Sequence, residues 1–336
     1  MIIRFAVVGL SHNHIYGMTQ QLLQEGAELV WLHDTQPQRI SEFSQQYSQA
    51  ELARSIDEIL EDKSIHLIAS AIDPDQRAGL GIRVMQQGKD FLCAKPGFTT
   101  LEQLAQVKQV QSQTQHKYAV YFSERLANKA TIKAGELVHD GAIGHVIQTV
   151  GFGPHQLGQR TRPEWTYLRE QHGGILNDLA SHQIDQFLHF TGSTDASIVA
   201  AHIGNFNHPQ YPKMDDFGDL TLRSDHATGY CRVDWLTPQG LGTWGDVRLF
   251  ILGTTGTIEI RKNCDLGRSI SSNHLFLVDQ QQTKVIDCSD VGLPYASQLI
   301  GDILNRTEIA MTQSHCFLTS ELALMAEAQA HRLYSS

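Results

Sequence analysis

Ile2-Ile3-Arg4-Phe5-Ala6-Val7-Val8-Gly9-Leu10-Ser11-His12-Asn13-His14 begins as an almost unbroken apolar run and stops at a glycine. A run from Ile2 to Val8 without polar alternation predicts a strand buried on both faces, the kind found in the middle of a parallel sheet. Downstream, Ile15, Met18, Leu22 and Leu23 recur at helical spacing until Gly26, and a second strand follows from Leu29 to Leu32. Asp34 closes it, 25 residues beyond Gly9. Strand, loop, helix, strand and terminal acid are the parts a dinucleotide site needs. The pyrophosphate lies at the first helix N-terminus, and the acid accepts bonds from the ribose hydroxyls.

The alternation continues. Ser55-Ile56-Asp57-Glu58 reads as a capping box, Leu67 to Ile72 as a strand, Gln76 to Gln87 as a helix and Phe91 to Cys93 as a strand. A helix from Thr100 to Gln115 and a strand from Tyr118 to Phe122 follow. Strands alternating with helices predict a doubly wound parallel sheet of Rossmann type over residues 1–123. Such sheets bind ligands at the carboxyl ends of their strands. The loops after Val8, Ile72 and Cys93 should therefore line one crevice, with Asp73 and Lys95 on it.

The first loop departs from the fingerprint G-x-G-x-x-G, since Ser11 and His14 stand at its second and third glycines. The candidate cofactor residues are Gly9, Ser11, His12, Asn13, His14, Asp34, Arg39, Asp73 and Lys95. In this loop the Ser11 hydroxyl and His12 can serve as donors. His12-x-His14 after a first strand also opens metal-dependent amidohydrolases on TIM barrels. That alternative requires eight βα units, whereas the chain's second half turns strand-rich.

Residues 124–336 change character. A helix from Asn128 to Asp140 and a strand from His145 to Gly151 lead into a loop holding Arg160, Arg162, Trp165 and Tyr167. Then comes Gly173-Gly174-Ile175-Leu176-Asn177-Asp178-Leu179-Ala180-Ser181-His182-Gln183-Ile184-Asp185-Gln186-Phe187-Leu188-His189. At helical spacing Asp178, His182, Asp185 and His189 share one face, and Leu176, Ala180, Ile184, Phe187 and Leu188 another. Two carboxylates and two imidazoles without lysine look like the wall of a site. Short strand candidates from Ile198 to Asp287, separated by Gly, Asp and Pro, predict a large, mostly antiparallel open sheet in an α+β domain. Helices around Ala296 to Asn305 and Thr319 to Tyr334 close the chain.

Composition narrows the partners. With 336 residues, two domains are expected; a formal net charge of -10 argues against a nucleic-acid ligand. Hydrophobic content of 41%, with no apolar run long enough to cross a bilayer, predicts no membrane partner. Five scattered cysteines form no C-x-x-C pair, which suits reduced thiols in the cytoplasm. The start lacks the h-region of a secretory signal.

Lys95-Pro96 after a late strand, Gly-Gly-x-x-x-Asp-x-x-x-His ahead of a sheet, Gly141 to Gly144 after its helix and Gly253-Thr254-Thr255-Gly256-Thr257-Ile258-Glu259 together resemble the Gfo/Idh/MocA oxidoreductases. This is the glucose-fructose oxidoreductase and inositol dehydrogenase family. Ala94 departs from it, since members usually carry Glu before Lys-Pro. The resemblance implies an NAD(P)-dependent dehydrogenase or reductase acting on CH-OH groups of a sugar, cyclitol or related molecule. It assigns Lys95, Asp178 and His182 to catalysis. An imidazole, with an unperturbed pKa of about 6.5, exchanges protons at neutral pH and suits His182 as base. Asp178 orients it or holds the substrate hydroxyl, and Lys95 stabilises charge on the reacting oxygen. Arg162, Trp165 and Tyr167 are the candidates for substrate contact. Asp34 favours NAD by repelling a 2′-phosphate, while Arg39 leaves NADP open. No metal is called for by this reading. A homo-oligomer through the C-terminal sheet is expected, and the altered fingerprint leaves a non-catalytic ligand sensor as a further alternative.

Overall fold

The computed structural model describes residues 1–158 and 162–333. In chain order the first part runs β1 (Arg4–Leu10), α1 (His14–Gln24), β2 (Glu28–His33), α2 (Pro37–Gln46), β3 (Glu51–Leu52), α3 (Ile56–Glu61), β4 (Leu67–Ala71), α4 (Pro74–Gln86), β5 (Asp90–Ala94), α5 (Leu101–Thr114) and β6 (Tyr118–Tyr121). Its six strands are all parallel, in the order β3-β2-β1-β4-β5-β6. The order reverses beside β1, the switch point at which doubly wound sheets take ligands. Every residue of β4, β5 and β6 is buried, which is why these strands read as apolar runs. Caps behave as their residues dictate: Ser55 Oγ accepts from Glu58 N at 3.2 Å and Thr100 Oγ1 from Gln103 N at 3.1 Å. An open six-stranded sheet is not a TIM barrel, so the hydrolase alternative built on His12 and His14 loses its scaffold.

The second part begins with the short helix α6 (Ser123–Leu126), then α7 (Lys129–His139) and β7 (Val146–Pro154). A 3₁₀ turn (Glu164–Tyr167), α8 (Arg169–His172), a π-helical turn (Leu176–Ala180) and α9 (Ser181–Thr191) follow. Next come β8 (Ser197–Gly204), β9 (Phe217–Arg223), β10 (Thr228–Asp234), β11 (Arg248–Gly253), β12 (Thr257–Arg261), β13 (His274–Val278) and β14 (Thr283–Ile286). The chain closes with α10 (Tyr295–Asn305), α11 (Gln313–Gln329) and β15 (His331–Arg332). The nine-stranded sheet has the order β14-β13-β12-β11-β7-β10-β9-β8-β15. Most pairs are antiparallel, but β7 with β10 and β8 with β15 run parallel. The helix expected from Thr319 to Tyr334 instead starts at Gln313 and gives way to β15; Tyr334 lies outside the described residues.

The chain divides into two compact units, residues 1–121 with 294–317, and residues 122–293 with 318–336. The first unit therefore includes α10, which packs on α1. In the second, Ile175, Leu179, Ile184, Phe187 and Leu188 pack with Leu220, Leu222 and Val233 beneath the sheet. A second core gathers Ala130, Ile143, Leu249, Ile251, Ile258 and Ile260 under α7. Close approach of α9 to β7 depends on Gly151, where a Cβ would stand 2.5 Å from Gln183 Oε1. All five cysteines are buried thiols outside any disulfide, and among the described residues no helix is long and apolar enough to cross a membrane.

Candidate active site

In the first unit the dinucleotide elements fall where the sequence puts them. Gly9 has φ +83°, and a Cβ there would meet Ile72 Cα at 2.6 Å, so a glycine is needed both for backbone angle and for space. Asp34 ends β2 and ties it to β1: its carboxylate accepts from Leu10 N at 2.6 Å and from Gln36 N at 2.7 Å. Arg39 lies in the first turn of α2, and Asp73 is the N-cap residue of α4 without a side-chain cap bond. Helix α1 starts after Asn13, which likewise makes no side-chain cap bond and is exposed.

The two departures from the glycine fingerprint have structural explanations. Ser11 is buried, and its hydroxyl donates to Ala71 O at 2.8 Å, alongside the bond from Ser11 N to the same carbonyl at 3.0 Å. The hydroxyl expected to be a donor for a phosphate is thus used to fasten the β1 loop to β4. His14 N bonds His12 Nδ1 at 3.1 Å, and the two imidazoles meet edge to face at 4.1 Å, with Tyr121 6.3 Å from His14. With its glycine bend, its terminal acid and a helix start whose N-cap residue Asn13 makes no side-chain cap bond, this unit fits a dinucleotide.

Lys95 is 4% exposed and follows β5 directly. Sequence reasoning missed what fixes its loop. Arg77 of α4 is fully buried and donates from Nη1 to Ala94 O and Pro96 O, both at 2.9 Å, and from Nε to Ile72 O at 2.8 Å. It clamps the backbone on either side of Lys95. In this chain Ala94 has no carboxylate to offer, and the clamp comes from α4 instead.

The second unit holds the other candidates. Of the four residues assigned to one helical face, Asp178 lies in a π turn, whose wider turn shifts its register, and His182, Asp185 and His189 lie in α9. Asp178 and His182 are 4% and 2% exposed. Asp185 is instead bound by Arg125 through two bonds of 2.7 Å, and His189 is exposed beside Phe190. The π turn is anchored from α11: Glu327 Oε2 accepts from Leu176 N at 3.0 Å and Oε1 from Arg169 Nε at 3.0 Å. Burial pushes the Glu327 carboxyl up to about 7, against the pull of Arg169 and the Leu176 amide.

Arg162 donates from Nε to Leu157 O at 2.8 Å and from Nη2 to Gln156 O at 2.7 Å, with its Cζ 4.6 Å over the Trp235 ring. Burial pulls its pKa down, and the Asp178 carboxylate opposes that, which places the two charges in one neighbourhood. Tyr167 stacks on Tyr211 at 4.1 Å, whereas Trp165 is 4% exposed and packed into the unit. Arg160 lies outside the described residues. His155 was not anticipated; its ring lies 5.4 Å from Trp235 and 4.6 Å from Trp244. An acid, an imidazole, a guanidinium and aromatic faces in one unit can hold a polar, hydroxyl-bearing molecule and move a proton.

Residues 3–122 match the oxidoreductase family's NAD-binding Rossmann fold, and residues 131–259 match the Gfo/Idh/MocA C-terminal domain. The chain belongs to the Gfo/Idh/MocA oxidoreductase family. A crystal structure from Erwinia carotovora atroseptica SCRI1043 is 45% identical, covering 99% of this chain and 100% of that one, with a TM-score of 0.96. A D-xylose dehydrogenase of Paenarthrobacter nicotinovorans is 26% identical over 43% of this chain and 38% of its own length. The scyllo-inositol 2-dehydrogenase (NADP(+)) of Bacillus subtilis is 27% identical over 56% of this chain and 51% of its own. The chain therefore spans less than two thirds of the length of these two curated relatives.

Proposed function

We propose that the protein is an NAD(P)-dependent dehydrogenase or reductase that moves a hydride between nicotinamide and a hydroxyl or carbonyl carbon of a sugar, cyclitol or related small molecule. The observation that carries this reading is the buried Asp178 and His182, with Arg162 beside Asp178, in a chain of an NAD-binding oxidoreductase family. The bound nicotinamide supplies the hydride acceptor or donor. In the oxidative direction His182 takes the proton of the substrate hydroxyl, Asp178 orients that hydroxyl or the imidazole, and Lys95 offsets negative charge on the oxygen. Arg162, Trp165 and Tyr167 shape specificity, and the xylose and inositol dehydrogenase relatives support a carbohydrate-like substrate.

Residues 1–123 serve as the dinucleotide domain, and the remainder binds substrate and assembles the oligomer. Asp34 favours NAD, because a carboxylate accepts from a 2′-hydroxyl and repels a 2′-phosphate. The nine-stranded sheet leaves Ile147, Phe250, Leu252, Val278 and Val285 exposed, and a second copy of this chain would cover that face. Five buried thiols suit the reducing cytoplasm.

Calorimetry with NAD, NADH, NADP and NADPH tests the first domain. Absorbance of the reduced nicotinamide during a screen of polyols and sugars then tests turnover, with Lys95→Ala, Asp178→Ala and His182→Ala as controls. Cofactor binding without turnover on any polyol or sugar would favour the ligand-sensor reading. Unchanged turnover in all three variants would overturn the site.

A further inference from the structure

Glu124 lies on the four-residue helix α6 and is 7% exposed. Its Oε2 accepts from Gln183 Nε2 at 2.8 Å, Lys262 Nζ at 3.1 Å and Gln186 Nε2 at 3.4 Å. Lys262, 2% exposed, spends its remaining bonds on Glu124 O at 2.9 Å and Gln186 Oε1 at 2.6 Å. Gln186 Nε2 in turn donates to the carbonyl of His182 at 2.8 Å. The network therefore ends on the backbone of the proposed base. Glu124 Oε1 is buried and accepts no hydrogen bond among the described residues.

An ion pair this deep costs several kcal/mol of desolvation per charge, so hydrophobic substitutes would serve stability as well. Its retention beside His182 calls for another use. Other charges around it are committed: Arg125 is paired with Asp185 on α9, and the Cys231 thiol of β10 is kept protonated by burial. Lys262, His182 and His155 hold the Glu124 carboxyl down to about 2 against that burial, so it is an anion throughout the working pH range. The Phe122 ring packs 6.4 Å from the His182 ring, edge to face.

We propose that Glu124 is a positioning residue for His182: its carboxylate, fixed by Lys262, Gln183 and Gln186, locks the His182 helix and stabilises the imidazolium formed when His182 takes a proton. This rests on the reading of His182 as the base. Asp178, one turn earlier, and His155, just after β7, are further titratable groups of this unit, and His155 also acts on Glu124. Glu124 faces His182 from α6, Lys262 from the end of β12.

Histidine Cε1 labelling and a pH titration by NMR test it, with the His182 signal identified by its loss in His182→Asn. Glu124→Gln is expected to lower the His182 midpoint by about one pH unit, a tenfold loss of proton affinity. Lys262→Met, which leaves the carboxylate uncompensated, should raise it. Midpoints unmoved in both variants, or moved in the same direction, would overturn the proposal, since lost packing alone has no reason to act with opposite signs. If Glu124→Gln does not fold, Lys262→Met decides by itself, an upward movement supporting the proposal and no movement overturning it. The titration uses neither cofactor nor substrate. Opposite movements in a protein that transfers no hydride would support the electrostatic link while overturning the dehydrogenase reading.

Discussion

Replacing Glu327 by glutamine should remove a pH dependence of stability that runs opposite to the usual one for a carboxylate. In the folded protein the carboxyl keeps its proton up to about pH 7, while in the unfolded chain it releases it near 4.5. Between these values the folded state binds more protons, so stability falls as pH rises through the window, and the loss is complete above pH 7. Two values separated by about 2.5 pH units correspond to about 3 kcal/mol at 1.36 kcal/mol per unit. Glu124, held down to about 2, varies chiefly below this window and does not mask the effect. In Glu327→Gln the bond from Leu176 N is retained by the amide oxygen, and the partly exposed Arg169 turns to water. Three of the four tryptophans, Trp165, Trp235 and Trp244, lie in the second unit and Trp31 in the first, so urea unfolding followed by tryptophan fluorescence in a Trp31→Phe background reports on the second unit. The stability of the parent relative to the variant should drop by about 3 kcal/mol from pH 4.5 to pH 8. Parallel curves would mean that Glu327 ionises like an ordinary surface carboxylate, and the reasoning from its burial would be wrong.

Arg77→Met should lower the melting temperature and cost about 3 kcal/mol or more, because it strands the carbonyls of Ile72, Ala94 and Pro96; Arg77→Lys should restore only part, since one ammonium cannot span all three. In Asp34→Ser, calorimetry should show the ratio of NADP to NAD affinity rising by at least about tenfold, as the repelling charge is gone. Gly9→Ala should abolish dinucleotide binding in the same assay, with the new methyl driven into Ile72. Gly151→Ala, 2.5 Å from the Gln183 amide, should destabilise by about 1–3 kcal/mol in urea unfolding and broaden the His182 resonance.

The first sheet was legible because its central strands are buried on both faces and leave apolar runs; β3, with both Glu51 and Leu52 exposed, leaves no such mark. In the second sheet, alternation locates the strands but not their partners, and so the parallel pairing of β7 with β10 went unseen. Asp178 and His182 stood out as titratable residues in an otherwise apolar helix. Asp185 and His189 stood out equally, but Arg125 binds the first and the second is exposed, and neither fact is visible in a 3.6-residue period. Arg77 acts through backbone carbonyls up to 19 residues away, and Glu124 and Lys262 through a contact spanning 138 residues. A local signal existed only for Lys262, which continues the inward parity of Ile258 and Ile260 at a position where lysine is out of place.

The Ser11 staple onto Ala71 also bears on the kinetics of ligand capture. With Leu10 bonded to Asp34 and Ser11 to Ala71, the loop has little freedom left to surrender when a dinucleotide arrives. Association then carries no conformational-selection tax, and differences in affinity among related dinucleotides appear in how long each stays rather than in how fast each enters.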